Sequence, residues 1–139
     1  MFSSTGFSKA NAYRQVGVHS GIENASPHTL IQMLFDGLFQ SLNAARGAID
    51  RGDVEEKGQH ISKAVRILQE GLVLGLDMEK GGELAANLRL LYDYSVGQLT
   101  KANLHSDVAL VEEVIGVLQP VAQGWKEIAP QVDTATRGG

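Results

Sequence analysis

The sequence predicts an all-α protein, an antiparallel up-down four-helix bundle with an N-terminal arm or short extra helix. Apolar residues recur at helical spacing in four segments, and the apolar mass is mainly Leu, Val, Ile and Ala. Only 3 of the 139 residues are proline, so few positions oppose helix formation. The segments are joined by a few residues each, which favours antiparallel neighbours.

The first two helices carry clear start and stop signals. Ser26-Pro27 places a hydroxyl N-cap before a proline at the first helical position, and Gly52 marks the end of the helix. Asp53 begins the second helix, with Glu56 three residues later as in a capping box. The predicted core stripes are Leu30, Ile31, Leu34, Phe35, Leu38, Leu42, Ala45 and Ile49, then Val54, Ile61, Ala64, Val65, Leu68, Leu72 and Leu76.

The third and fourth helices follow a predicted loop over residues 77–82, where paired glycines interrupt the pattern. The third helix is predicted from Glu83 to Leu104, and Ser106-Asp107 caps the fourth. Pro120 lies inside the fourth helix and should bend it, because its ring removes the hydrogen bond to the Gly116 carbonyl. The predicted core positions are Leu84, Leu88, Leu91, Ser95, Leu99 and Ala102, then Val111, Val114, Ile115, Leu118, Val121, Ala122, Trp125 and Ile128.

The chain divides into three predicted regions. Residues 1–25 are rich in Gly, Ser and Asn and form a mobile arm, residues 26–129 form the bundle domain, and residues 130–139 form a disordered tail. The start has no basic region followed by an apolar stretch, so a signal peptide is not expected. The strongest apolar run, residues 30–39, is far shorter than the ~20 residues of a membrane span. We therefore predict a soluble, cytoplasmic protein without membrane insertion.

Composition and motif spacing argue against several classes of function. The net charge of −4, without a basic cluster, disfavours binding to nucleic acid or to anionic membranes. The absence of cysteine excludes disulfides and thiol catalysis. No histidine follows a glutamate by three positions, as a di-iron bundle requires, and Glu56 with His60 is a solvated pair without further ligands. Gly81-Gly82 lacks the strand and the Gly-Lys-Ser/Thr of a phosphate loop. We predict no catalysis, cofactor or metal.

A second apolar row occurs on two of the helices, opposite their predicted core stripes. It consists of Ile67, Gly71 and Leu74 on the second helix and Leu90, Tyr94 and Leu104 on the third. A helix that is apolar on two sides is either central or leaves surface for a partner, and a bundle this small encloses no helix fully. We therefore predict that these residues bind a partner. Two alternatives stay open: the rows form a homodimer, or the bundle is an enzyme whose metal or cofactor would copurify.

Four stretches of the chain carry motifs that are typical of one known family: residues 12–16 (AYRQV), 30–37 (LIQMLFDG), 75–84 (GLDMEKGGEL) and 87–94 (NLRLLYDY). Residues 102–104, residues 112–114 and Trp125 extend the pattern over nearly all of residues 10–128. In order and spacing these motifs resemble the FliS family of flagellin export chaperones. The resemblance implies an antiparallel helical bundle that binds the C-terminal segment of new flagellin in the cytoplasm. It also implies that this binding prevents polymerisation and assists delivery to the flagellar type III export apparatus.

The resemblance also assigns a role to the N-terminal arm. It implies that the family tyrosine, here Tyr13, rests near the client surface and moves when flagellin binds. We also predict that Val16, in the same arm, contacts the partner. Other flagellar regulators are further candidate partners. The sequence departs from the family pattern at Pro120 and Gly124, which interrupt the last helix, and at Phe35, where tyrosine is common.

Overall fold

The computed structural model describes residues 25–128, and within this range the chain is an all-α bundle without a strand. Its four helices are α1 (Pro27–Arg51), α2 (Val54–Arg66), α3 (Met78–His105) and α4 (Val108–Glu127). A π-helical segment, Ile67–Val73, continues α2 without a turn. The all-α bundle is confirmed, and the antiparallel up-down order stays the prediction of the short connections.

The predicted helix boundaries at both ends of α1 and at the start of α2 are confirmed. The Ser26 hydroxyl accepts a hydrogen bond from the Thr29 backbone N–H at 3.1 Å. Gly52 ends α1 with a φ of 70°, a left-handed conformation that glycine adopts without a Cβ clash. The Asp53 carboxylate accepts from the Glu56 N–H at 3.0 Å. These contacts satisfy backbone groups that a helix end would otherwise leave unpaired.

The predicted loop over residues 77–82 is wrong for most of its length. The Asp77 carboxylate accepts from the backbone N–H groups of Glu79 and Lys80, at 3.2 and 2.9 Å, and so caps a helical turn that starts at Met78. The paired glycines do break the helix, but only at Gly82, where φ is 52° and ψ is −127°. The sequence signal that we missed is Asp77 itself, an N-cap residue type.

The core is a single cluster of buried residues, to which every helix and the π-helical segment contribute side chains. Its buried members are Leu34, Phe35, Leu38, Leu42, Ala45, Ile61, Ala64, Ile67, Leu68, Leu72, Tyr92, Leu99, Ala102, Val111, Val114 and Leu118. Three residues that we predicted in the core, Val54, Leu84 and Ile128, are instead exposed, and Ile128 comes directly after the end of α4. Val54 is the first residue of α2, and Leu84 follows the break at Gly82, so neither position is covered by a neighbouring helix.

The predicted outward positions of Ile67 and Gly71 are also wrong, because both residues are buried. A π-helix closes its hydrogen bonds from i to i+5, so each turn takes more residues than an α-helical turn. Within this segment Ile67 and Gly71 are buried together with Leu68 and Leu72, so all four lie on one inner side. The two stripes of the second helix are therefore the two edges of one buried surface.

Gly71 is required where it is because a side chain there would overlap the core. A Cβ at this position would lie 2.9 Å from Cδ2 and 3.0 Å from Cδ1 of Leu34, which is itself fully buried. A Cβ on Gly97, in the exposed middle of α3, would meet nothing within 4 Å.

We expect Gly71→Ala to lower the free energy of unfolding by about 1–3 kcal/mol through overpacking. Gly97→Ala should raise it by about 0.5–1 kcal/mol through helix propensity. Urea denaturation of both variants measures these free energies of unfolding. Equal changes in the two variants would contradict the prediction that only Gly71 lacks room for a side chain.

Candidate functional site

The most prominent apolar feature of the described chain is an open cavity of about 430 Å³. Its wall combines α1, the end of the π-helical segment with the turn after it, the first half of α3 and the last half of α4. The lining residues are Ile31, Phe35, Leu72, Gly75, Leu76, Leu84, Leu88, Tyr92, Pro120, Val121, Gly124, Trp125 and Ile128. None of them is charged. Such a site binds an apolar surface and offers little for catalysis.

Two glycines, Gly75 and Gly124, are among the residues that line the cavity. Gly75 sits so close to α1 that a Cβ would lie 3.3 Å from Cδ1 of Ile31 and 3.1 Å from the Gly71 carbonyl oxygen. Gly124, on α4, has nothing within 4 Å of where its Cβ would be. The three departures from the family pattern all line this cavity: Phe35, Pro120 and Gly124.

A clasp between the start of α1 and the end of α4 supports one side of the cavity. The rings of His28 and Trp125 stack with centroids 4.9 Å apart and planes inclined by 8°. The Trp125 Nε1–H donates to the His28 carbonyl at 3.0 Å. His28 Nε2 lies 2.7 Å from the Trp125 carbonyl oxygen, which can only accept, so this ring nitrogen carries the proton. Trp125 therefore holds the two helix ends together while one part of its ring system faces the cavity.

Tyr92 is the one buried tyrosine of the cavity wall, and burial raises its pKa from 10.0 to about 12. Because burial disfavours the phenolate only in the folded state, the contribution of the neutral phenol to stability is complete below pH 10. This contribution is lost as the pH rises from 10 towards 12, because the unfolded chain then releases the proton first. We expect a loss of at most roughly 3 kcal/mol over that range. Urea unfolding at pH 9 and pH 11.5 measures it, and Tyr92→Phe should lose less stability, since it removes this proton.

The outer row predicted on α3 is exposed, as expected from the sequence. Leu90, Tyr94 and Leu104 are all exposed, and so is Leu74 after the π-helical segment. The Tyr94 hydroxyl donates to the Glu113 carboxylate at 2.8 Å, and this hydrogen bond raises the tyrosine pKa.

The Glu113 carboxylate, on α4, links α3 to α4 by hydrogen bonds. It also accepts from the Gln98 amide at 2.7 Å. The hydrogen bond from Gln98, followed by the one from Tyr94, lowers the pKa of Glu113, and the positive charge of Lys101 acts in the same direction. Tyr94 is therefore fixed along the edge between α3 and α4.

The structure separates the predicted site residues into three groups. Ile67 and Gly71 belong to the core and cannot touch a partner unless the bundle rearranges. Leu74, Leu90, Tyr94 and Leu104 are accessible and stay candidate contacts. Tyr13 and Val16 lie outside the described residues.

The sequence pattern does not predict the cavity, because most of its lining residues belong to the predicted core stripes. A usable signal was present, since glycine and proline occur in both segments that contribute to the cavity wall.

Among residues 25–128 no group of three His, Cys, Asp or Glu side chains could hold a metal ion. Glu56 and His60 lie 4.0 Å apart as a partly exposed pair. No helix in the same range is long and apolar enough to cross a membrane.

Comparison with known proteins adds a family to this geometry. Residues 9–132 match the family described as flagellar protein FliS. A flagellar secretion chaperone FliS from Salmonella typhimurium is 48% identical over 131 residues, which cover 94% of this chain and 95% of the relative. A flagellar secretion chaperone FliSB from Pseudomonas aeruginosa is 44% identical, covering 84% and 92%. The FliS of Bacillus subtilis is 31% identical, covering 84% and 82%.

Proposed function

The chain belongs to the FliS family of flagellar proteins, and on that premise we propose that it is a secretion chaperone whose client is the C-terminal segment of flagellin. The relatives are named flagellar secretion chaperones, which supports an export-chaperone role for this chain. FliS is a family of chaperones and not of enzymes. In this proposal the chaperone holds the segment in the cytoplasm, prevents premature polymerisation and assists its delivery to the flagellar type III export apparatus.

The apolar cavity is the observation that carries the proposal. A disordered segment that folds as it binds gives up about 2–5 kcal/mol of the gross interaction energy in ordering. Burying one Leu- or Phe-sized side chain returns about 1.5–3 kcal/mol. A volume of about 430 Å³ with uncharged walls accepts several such side chains, enough to offset the ordering cost. The exposed Leu84 and Ile128 on the cavity wall extend the apolar contact outwards.

The direct test is binding of a synthetic flagellin C-terminal peptide, measured by isothermal titration calorimetry at several temperatures. We expect saturable binding with a clearly negative heat-capacity change, because apolar surface is buried. A peptide of the same composition in scrambled order is the matched control. Equal affinity for both peptides, or no binding of either, would refute flagellin-tail recognition.

The N-terminal arm, with Tyr13 and Val16, is proposed to compete with the client for the apolar surface. A segment that occupies the site in the free protein lowers the apparent affinity of the client by the fraction of time the site is blocked. We therefore expect a variant lacking residues 1–20 to keep its helical circular dichroism and to bind the tail peptide more tightly. Unfolding of the truncated chain would show instead that the arm belongs to the core.

A further inference from the structure

The first turn of α3, Met78–Gly81, is separated from the rest of the helix by the backbone of Gly82. The φ of 52° and ψ of −127° at Gly82 are close to those of the first central residue in a type II′ turn, a conformation that favours glycine. Every residue from 77 to 84 is exposed. The turn is therefore held by its hydrogen bonds to Asp77 and not by the core.

Gly81 permits the same bend. A Cβ at Gly81 would lie 2.6 Å from the Ala85 Cβ, closer than two carbon atoms that are not bonded can approach. In an unbroken α-helix the Cβ atoms of residues i and i+4 lie about 5–6 Å apart, so this clash belongs to the bent conformation alone. Alanine is also the better helix former. Alanine at Gly81 or at Gly82 therefore opposes the bend and favours a straight α3.

The apolar stripe of α3 continues across the break to Met78. Met78 lies seven residues before Ala85 and fourteen before Tyr92. In an unbroken helix, residues seven apart point within about 20° of one another. Ala85 and Tyr92 are 4% and 3% exposed, whereas Met78 is 44% exposed and is not among the residues that line the cavity. Straightening α3 would therefore turn Met78 to the side of the helix on which Tyr92 lines the cavity.

We propose that client binding straightens α3 at Gly82, so that Met78–Gly81 closes over the cavity as a flap and Met78 becomes a client contact. This inference rests on the proposed function. In the free protein the two glycines oppose a straight helix, and Met78 gains no client surface by moving. A bound segment supplies that surface and therefore favours the straight state over the bent one. The flexible thioether of methionine suits contact with a segment of irregular shape.

Alanine at the two glycines tests the flap. Gly81→Ala and Gly82→Ala should each bind the flagellin tail peptide about three- to tenfold more tightly than the wild type, because a larger straight population raises the apparent affinity. The matched control is Gly97→Ala, the same change in α3 beyond the break, where a Cβ meets nothing within 4 Å. This control should bind with wild-type affinity. Unchanged or weaker binding by either flap variant would overturn the proposal.

Met78→Ala tests the contact itself and does not depend on how the glycine variants fold. Because Met78 is exposed in the free protein, the free energy of unfolding should stay nearly unchanged. The affinity for the tail peptide should fall about three- to tenfold, because part of an apolar side chain is no longer buried in the complex. Wild-type affinity in this variant would show that Met78 does not close over the client, and the proposal would be wrong.

Distances between nitroxide labels report the conformation of α3 directly. The chain contains no cysteine, so labels attach only at the introduced sites Glu79→Cys and Lys101→Cys. In a straight helix these two positions lie about 33 Å apart. The bend shortens this distance, because it brings the first turn closer to the rest of the helix. Double electron–electron resonance should show an increase to the straight-helix distance when the tail peptide is added, and already without peptide in Gly82→Ala.

The control pair is Glu83→Cys with Lys101→Cys, because both labels lie beyond the break and should keep one distance with and without peptide. Saturable peptide binding without the increase between positions 79 and 101 would overturn the flap and leave the chaperone proposal standing. Absence of peptide binding would refute both proposals.

Discussion

Leu84→Glu should weaken binding of the flagellin tail by about 10- to 100-fold without unfolding the bundle. Leu84 lines the cavity but is 67% exposed in the free protein, so a carboxylate there stays solvated until a client arrives. When the client closes the cavity, the variant loses the ~1.5–3 kcal/mol of a buried leucine and must also desolvate a charge. Calorimetric titration of the tail peptide, with thermal unfolding as a check on stability, measures both quantities.

The matched control is Leu90→Glu, which makes the same change on the outer row of α3 at 68% exposure. If the cavity is the client site, this variant should bind the tail with nearly wild-type affinity. The sequence alone assigned client binding to the outer row, so the pair of variants separates the two locations. Normal binding by Leu84→Glu together with a loss in Leu90→Glu would move the client site from the cavity to the outer row.

The sequence was sufficient for the bundle because its signals are local. Ser26, Gly52 and Asp53 act on backbone groups within one helical turn, so their residue types alone fix where α1 ends and α2 begins. Asp77 acts in the same way. The glycines that follow it predicted a loop, but its carboxylate accepts hydrogen bonds from two backbone N–H groups and so starts a helical turn despite them.

The site was harder to predict because it depends on distant parts of the chain. The cavity brings Gly75 and Gly124 to the same volume, and nothing in a helical pattern records that two segments so far apart meet. The π-helical segment that begins at Ile67 has no residue signature either, and within it Gly71 packs so close to Leu34 that a Cβ would lie 2.9 Å from Cδ2. The apolar pattern alone separates Ile67 and Gly71 from Leu68 and Leu72 as two stripes, although all four residues are buried.

Ile67→Asp should destabilise the bundle by more than about 4 kcal/mol, the range of changes that disrupt a core. The Ile67 side chain is fully buried within the cluster that joins all four helices. Truncating such a residue costs about 2–5 kcal/mol, and an aspartate there must in addition be buried without a partner or take up a proton. Because a domain of this kind has only about 5–15 kcal/mol of stability, we expect loss of the cooperative thermal transition or a very low midpoint.

The control is Leu74→Asp, at the exposed position that the sequence placed in the same outer stripe as Ile67. Because Ile67 is buried and Leu74 is exposed, the two aspartates should behave differently. Leu74→Asp should shift the free energy of unfolding by no more than about 0.5 kcal/mol, as most surface substitutions do. Equal and small effects of the two variants in urea denaturation would mean that Ile67 lies on the surface and not in the core. The difference in unfolding free energy between the two variants thus shows which of the two side chains faces the core.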